Sequence, residues 1–216
     1  MSVGKLTGVL ALALASAAAQ TPLPGLRIEA VPAGSVIFVR NDYSQPLTAC
    51  LIELVDYPGS SFVLWRDAYV DDEAAYTESG LEKRIPVSSM TVGAAPDYVK
   101  VRAAIYADGS TAGLADRISL LVDRRHALLD TMRELIQRIE ATSDKASLIT
   151  NLNQWAETLR PAGRVNGMSP TVARQAVARS WVAIIAKSLD THTPAEVLDL
   201  LKRSERRLLE SKPPLQ

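Results

Sequence analysis

One cysteine, Cys50, occurs in the 216 residues of the chain. No internal disulfide can form, so the fold must be held by packing. Cys50 sits in the apolar stretch Leu47-Thr48-Ala49-Cys50-Leu51-Ile52, where a free thiol behaves as a small buried hydrophobe. There are two histidines, His126 and His192. Neither has a Cys, His or carboxylate at metal-ligand spacing, and no HxxxH or HExxH is present. Both positions suit surface or boundary imidazoles. The chain has no GxSxG elbow, no phosphate-binding loop, no GxGxxG and no EF-hand spacing. Ser60-Ser61 and Ser110-Thr111 therefore read as hairpin hydroxyls, and no cofactor is implied. Past the first twenty residues, no apolar run approaches the roughly 20 residues of a membrane span. Nor does one sign of charge dominate, with 24 basic and 24 acidic side chains.

What is present begins with a leader. Met1-Ser2-Val3-Gly4-Lys5 carries one positive charge, Leu6 to Ala15 is mostly Leu, Val and Ala, and Ala17-Ala18-Ala19 precedes Gln20. This pattern reads as a signal peptide over 1–19. The expectation is export, with the mature chain soluble in the periplasm or outside the cell. Residues 20–25 then form a stiff linker, Thr21-Pro22-Leu23-Pro24-Gly25. At 47% apolar, the chain can bury a substantial core.

The balanced charge conceals an asymmetry. Residues 20–112 hold 7 basic and 12 acidic side chains, whereas 113–216 hold 16 and 12. The hydrophobic period also changes at this point. Before it, short stretches alternate with a period of two: Leu26–Val31, Ser35–Arg40, Leu47–Val55, Phe62–Trp65, Leu81–Val87 and Tyr98–Tyr106. Turn formers separate them, among them Pro32-Ala33-Gly34, Asn41 to Pro46, Asp56 to Gly59 and Asp108-Gly109. Ser35 to Val55 reads as an antiparallel pair joined by the polar loop Asn41–Pro46. Six to eight strands without an intervening helix predict an immunoglobulin-like antiparallel β-sandwich over 26–112, with a barrel as the alternative.

From Leu114 the period is helical. Leu114, Ile118, Leu121, Arg125, Leu128, Met132, Leu135 and Ile139 form one seam, apolar except at Arg125. Ser143-Asp144 breaks this helix, and Asp144 caps a second, Lys145–Leu159. A third starts at Ser169-Pro170, with proline at its first position. Thr193-Pro194-Ala195-Glu196 is a capping box for a fourth. The fold class is thus segregated α+β, with an antiparallel bundle of about four helices over 113–211 and a frayed tail over 212–216. Helices one and two are the most obvious hairpin.

The runs Val39 to Ala49 and Val101 to Gly113, followed by Asp123-Arg124-Arg125, resemble a group of uncharacterised exported proteins of soil bacteria, notably acidobacteria. Those combine a signal peptide, a sandwich with an RN-S-PLTA hairpin, a DG(S/T)-G turn and a helix with an RR step. The resemblance covers about Val36 to Ile139. It implies architecture and export, and carries over no catalytic residue.

Charged residues supply the candidate interaction surface. Lys202, Arg203, Arg206 and Arg207 form a basic face on the last helix, joined by Arg174 and Arg179. An anionic membrane or envelope polymer would suit it in an exported protein, and nucleic acid would not. A solvated face paired with Glu205 and Glu210 is the plainer reading. Arg125 either covers the seam edge with its stem while its guanidinium reaches water, or pairs with an acid of the strand region. Asp71-Asp72-Glu73 reads as a solvated acidic bend, with a calcium corner as the sharper alternative. No small-molecule ligand is identified. The leading expectation is a non-catalytic exported module of the bacterial envelope that associates with itself or a protein partner through its helices. A hydrolase with its site between strands and helices is the second, and a peripheral binder of anionic membrane the third.

Overall fold

A computed structural model describes residues 21–32, 34–54, 63–71, 77–87, 99–159 and 169–215. The expected signal peptide over 1–19, the turn at 56–59, Ser60-Ser61, Asp72 and Glu73 lie outside them. Within the described residues the architecture is α+β. Seven strands come first: β1 (Gly25–Val31), β2 (Gly34–Arg40), β3 (Leu47–Leu54), β4 (Val63–Asp67), β5 (Glu82–Val87), β6 (Val99–Tyr106) and β7 (Thr111–Gly113). Four helices follow: α1 (Ala115–Ala141), α2 (Lys145–Thr158), α3 (Pro170–Ser188) and α4 (Pro194–Leu209).

The strands form two antiparallel sheets, ordered β1-β2-β5 and β4-β3-β6-β7. The expected pairing of β2 with β3 does not occur, because the loop Asn41–Pro46 carries the chain from one sheet to the other. Asn41 builds that corner. It is fully buried, its Nδ2 donates to the carbonyls of Gln45 and Thr77 at 2.8 Å each, and its Oδ1 accepts from the Tyr43 amide. Its own backbone bonds Leu81 and Gly80. One asparagine thus satisfies a crossing that would otherwise bury orphaned backbone groups.

Strands β3 and β6 are apolar on both sides, and the structure shows why. Leu47, Cys50, Ile52, Val101, Ala104 and Tyr106 meet Ile37, Val39 and Ile85 of the first sheet. Ala49, Leu51, Ala103 and Ile105 face the other way and pack on Leu121 of α1, with Ile118 and Val122 beside it. The second sheet is therefore a middle layer, with the first sheet on one face and α1 on the other. The expected alternation of Val99, Val101, Ala103 and Ile105 on a single face fails at Arg102. Between the pairs Ile52–Val101 and Leu51–Ala103, Arg102 is an extra residue on β6. Thr48 is extra on β3, between Leu47–Tyr106 and Ala49–Ile105. Each is a β-bulge, which reverses the facing of the residues beyond it.

The turn after β6 uses Gly109 at φ +92°, and β7 returns as a short strand that the sequence reading did not contain. Gly113 sits at φ +103°, and a Cβ there would lie 2.2 Å from the Arg102 carbonyl oxygen. Only glycine allows the chain to leave β7 for α1 at this distance.

The seam of α1 is covered in two halves by different partners. Its first half lies on the middle sheet. Its second half, Leu128, Met132, Leu135 and Ile139, joins Leu148 and Leu152 of α2, Val177, Trp181 and Ile185 of α3, and Val197 and Leu201 of α4. Helix α1 packs along α3 and α4, while α2 packs along α3. In place of the expected α1–α2 hairpin, α2 packs on the next helix, α3, and α1 on the more distant α3 and α4. Capping follows the sequence more closely. Asp144 accepts from the Ser147 amide, and Thr193 and Glu196 close a reciprocal capping box. Ser169 makes no side-chain cap, so Pro170 alone marks the start of α3. The tail is docked and does not fray: Ser211 and Leu215 are buried, the latter in the helical core. At the other end, Tyr106 donates its hydroxyl hydrogen to the Pro22 carbonyl at 2.6 Å, which ties the linker down.

Candidate functional site

The sheets and helices meet around the turn 67–71. Asp67 ends β4 fully buried, and the chain then curls tightly. The amides of Val70 and Asp71 donate to the Asp67 carbonyl. The Asp71 carboxylate accepts from the Asp67 amide at 2.8 Å, and the Asp67 carboxylate from the Tyr69 amide at 2.9 Å. This compact turn pushes Val70 into the helical core. Three helices bond to it. Trp181 of α3 donates its indole N–H to the Val70 carbonyl at 2.9 Å. Arg207 of α4 donates to the Ala68 carbonyl at 3.2 Å. Arg124 and Arg125 of α1 pair with Asp71 and Asp67 at 3.1 and 2.7 Å.

Arg125 lies at the centre of this junction and is 0% exposed. The expectation that its guanidinium reaches water is therefore wrong, and so is its place on an interaction surface. The alternative, a pair with an acid of the strand region, is what the structure contains. Its Nε donates to Asp67, Nη1 to the Lys212 carbonyl at 2.7 Å, and Nη2 to the Thr48 hydroxyl at 3.0 Å. Tyr69 stacks under its face at 4.7 Å. The physical reason is the bulge in β3, which turns Thr48 and Ala49 to the same side. Thr48 passes its own hydrogen to the Ile105 carbonyl and so presents a lone pair to the arginine. Burial pushes the Asp67 carboxyl above its usual range, opposed by the Arg125 charge and by hydrogen bonds from Arg125 and the Tyr69 amide.

Two turns earlier on the same helix, Arg117 pairs with Glu53 at 2.5 Å, and Arg102 approaches that carboxylate at 3.5 Å. Both buried carboxylates that face α1 are thus held by arginines, which leaves neither free as a general acid or base. Asp71 is not a solvated bend, since both its oxygens are engaged. No cluster of metal-ligating side chains exists among the described residues. His192 is exposed, with Nδ1 near the Thr191 hydroxyl and the Ser188 carbonyl, and His126 is half-buried on α1.

The basic set on α4 divides. Lys202 pairs with Glu140 at 2.7 Å, and Arg207 is drawn to the turn 67–71 and the Tyr69 ring. Arg206 contacts the Lys202 carbonyl, and Arg203 borders a shallow concavity with His192 and Glu196. Glu205 is used by Arg133.

Helix α3 differs. It contains Arg174, Arg179 and Lys187 and no acid at all. Arg174 pairs with Asp130, whereas Arg179 and Lys187 pair with no acid among the described residues. Those two flank a concave face made by Ala176, Ser180, Ala183 and Ile184. Ile184 is 49% exposed, because Trp181, Val182 and Ile185 fill the inner side. Beside this face a cleft of about 320 Å³ opens against the turn 67–71, lined by Arg66, Asp71, Arg124, Ser180, Trp181 and Ile184 among others. The sequence signal for this site is the lack of acids over nineteen residues of α3; the cleft had none. No protein-family model, curated protein or solved structure matches the chain.

Proposed function

We propose that the protein is an exported, non-catalytic interaction module of the bacterial envelope. An immunoglobulin-like sandwich is its scaffold, an antiparallel helical bundle is docked through α1 on the scaffold's second sheet, and α3 is the face offered to a partner. The sheet orders β1-β2-β5 and β4-β3-β6-β7 support the sandwich reading, because the chain crosses between the two sheets from β2 to β3, from β4 to β5 and from β5 to β6. The leader supports export to the periplasm or beyond.

The observation that carries the reading is the contrast between two polar surfaces. At the sheet–helix junction, Arg125 and Asp67 meet fully buried. On α3, Arg179 and Lys187 stand beside exposed Ile184 with no acid on the helix to answer them. A small-residue face rimmed by cations that pair with no acid among the described residues fits an acidic protein surface, with apolar contact at the centre and charge at the rim. The paired state of Lys202 and Arg207 favours α3 over α4 as that face.

The test is retention of envelope proteins on the immobilised mature chain, with light scattering of the purified chain for self-association. Arg179→Glu with Lys187→Glu should abolish retention, or convert a dimer to a monomer, with an unchanged circular dichroism spectrum. A monomer that retains the same proteins before and after charge reversal would overturn the proposal.

A further inference from the structure

The cleft beside α3 contains a feature that the fold does not use. Arg124 is 8% exposed. Its guanidinium lies over the Trp65 ring at 4.9 Å, and its Nη2 pairs with Asp71. Its Nη1 is enclosed and has no hydrogen-bond partner. Arg125, one residue on, has every donor nitrogen engaged. A buried guanidinium nitrogen without an acceptor is unfavourable, and more so on a charged group. Arg124 lines the cleft together with Arg66, so among the described residues two guanidiniums stand there against one carboxylate, Asp71. The remaining wall is apolar or hydroxylic: Val70, Val177, Trp181, Ile184 and Ser180.

We propose that this cleft binds the carboxylate of an amphipathic acid, with the anion received by Arg124 and Arg66 and an adjoining apolar group seated on Trp181 and Ile184. The cleft-facing parts of two guanidiniums offer planar, forked donors for which a carboxylate is the matching anion. Nη1 itself is sealed even from water, so the anion is received by the parts of Arg124 and Arg66 that line the cleft. The volume suits a small ligand or the last residues of a chain. Two sources carry this chemistry: a free apolar acid, and the C-terminus of a peptide that ends in an apolar residue. The inference rests on the reading of α3 as a binding face and names the chemistry bound at its edge.

The test is calorimetric and tryptophan-fluorescence titration of the full mature chain. The probes are N-acetylphenylalanine, its amide, and a pentapeptide that ends in phenylalanine as acid and as amide. The acid should saturate and the amide bind roughly tenfold or more weakly, the loss of one charged hydrogen bond. Arg66→Gln should weaken the acid while the fold is kept. Arg124→Gln should do so more strongly, with circular dichroism to check folding. Ile184→Glu, which sets a carboxylate at the cleft mouth, should also weaken it. A pentapeptide tighter than the small acid identifies a chain terminus, and equal affinity identifies a free acid; both support the proposal. Equal binding of acid and amide, or no saturation by roughly 10 mM probe, overturns it. If the acid fails while reversal of Arg179 and Lys187 still abolishes partner retention, only the carboxylate inference falls.

Discussion

Replacing Arg125 by leucine removes the one charge from the α1 seam and strands three acceptors. Asp67 keeps only the Tyr69 amide, while Thr48 and the Lys212 carbonyl lose their donors. Both partners of the pair are 0% exposed, so breaking it leaves an uncompensated buried charge, which costs about 3–5 kcal/mol. With a urea slope of about 2 kcal/mol/M, the midpoint should fall by roughly 2 M. That is a large share of a typical stability of about 5–15 kcal/mol. Asp67→Leu alone should cost a similar amount for the opposite reason. The double variant, Arg125→Met with Asp67→Leu, restores an apolar seam and should recover most of the loss, since buried pairs are often replaceable by packed apolar groups. The deficit of Arg125→Leu also depends on pH. An acid whose folded pKa lies above its unfolded value stabilises the fold fully below the unfolded pKa, and loses that as pH rises through the folded pKa. Burial already drives Asp67 upward, and loss of the arginine removes its main opposition. The deficit should therefore be smaller near pH 5 than near pH 8, about where a buried carboxyl can hold its proton. Single-variant losses under about 1 kcal/mol, the level of an exposed pair, would refute the argument. So would a double variant as unstable as the sum of the two.

Gly113→Ala should cost about 3 kcal/mol or more in urea unfolding, because a clash with the Arg102 carbonyl adds to left-handed strain; Gly80→Ala, at φ +75° in open space, should cost only about 1–2 kcal/mol. Cys50 is buried and its thiol is pushed up to about 12 by desolvation, so maleimide should label the native chain only as fast as it unfolds and label it at once in denaturant. Trp181→Phe keeps the ring but orphans the Val70 carbonyl, and should lower stability by about 1–3 kcal/mol. Thr193→Ala removes one half of a complete capping box and should cost about 1 kcal/mol, read by thermal melting.

The helices were legible because their signals are local. Period, proline and cap all lie within a few residues, so α1, α2, α3 and α4 fall where Leu114, Asp144, Pro170 and Thr193 place them. Strand existence was legible for the same reason, except for the three-residue β7. Strand pairing was not, because it depends on partners far along the chain. Asn41 looks like any turn former, yet its amide reaches Thr77 to carry β2 and β3 into different sheets. Of the expected acidic bend Asp71-Asp72-Glu73, Asp71 is instead engaged, because its carboxylate finds a partner on α1, more than fifty residues later.

The two bulges explain why α1 docks in one register. Each turns a polar residue toward the helix beside an apolar one: Thr48 beside Ala49, and Arg102 beside Ala103. Thr48 helps to hold Arg125, and Arg102 shares Glu53 with Arg117. Arg117 and Arg125 are eight residues apart, about 12 Å along a helix, so their partners bracket the apolar contact of Leu121 with Ala49, Leu51 and Ala103. A slide of α1 by one turn, about 5.4 Å, would keep apolar residues on the sheet but leave Asp67 without an arginine and Glu53 with only the 3.5 Å approach of Arg102. The apolar contact drives docking and the ion pairs select its register. The lone arginine in the seam of α1 is thus the residue that fixes where the helices stand on the sheet. Arg124 beside it pairs with Asp71 and lines the cleft against α3.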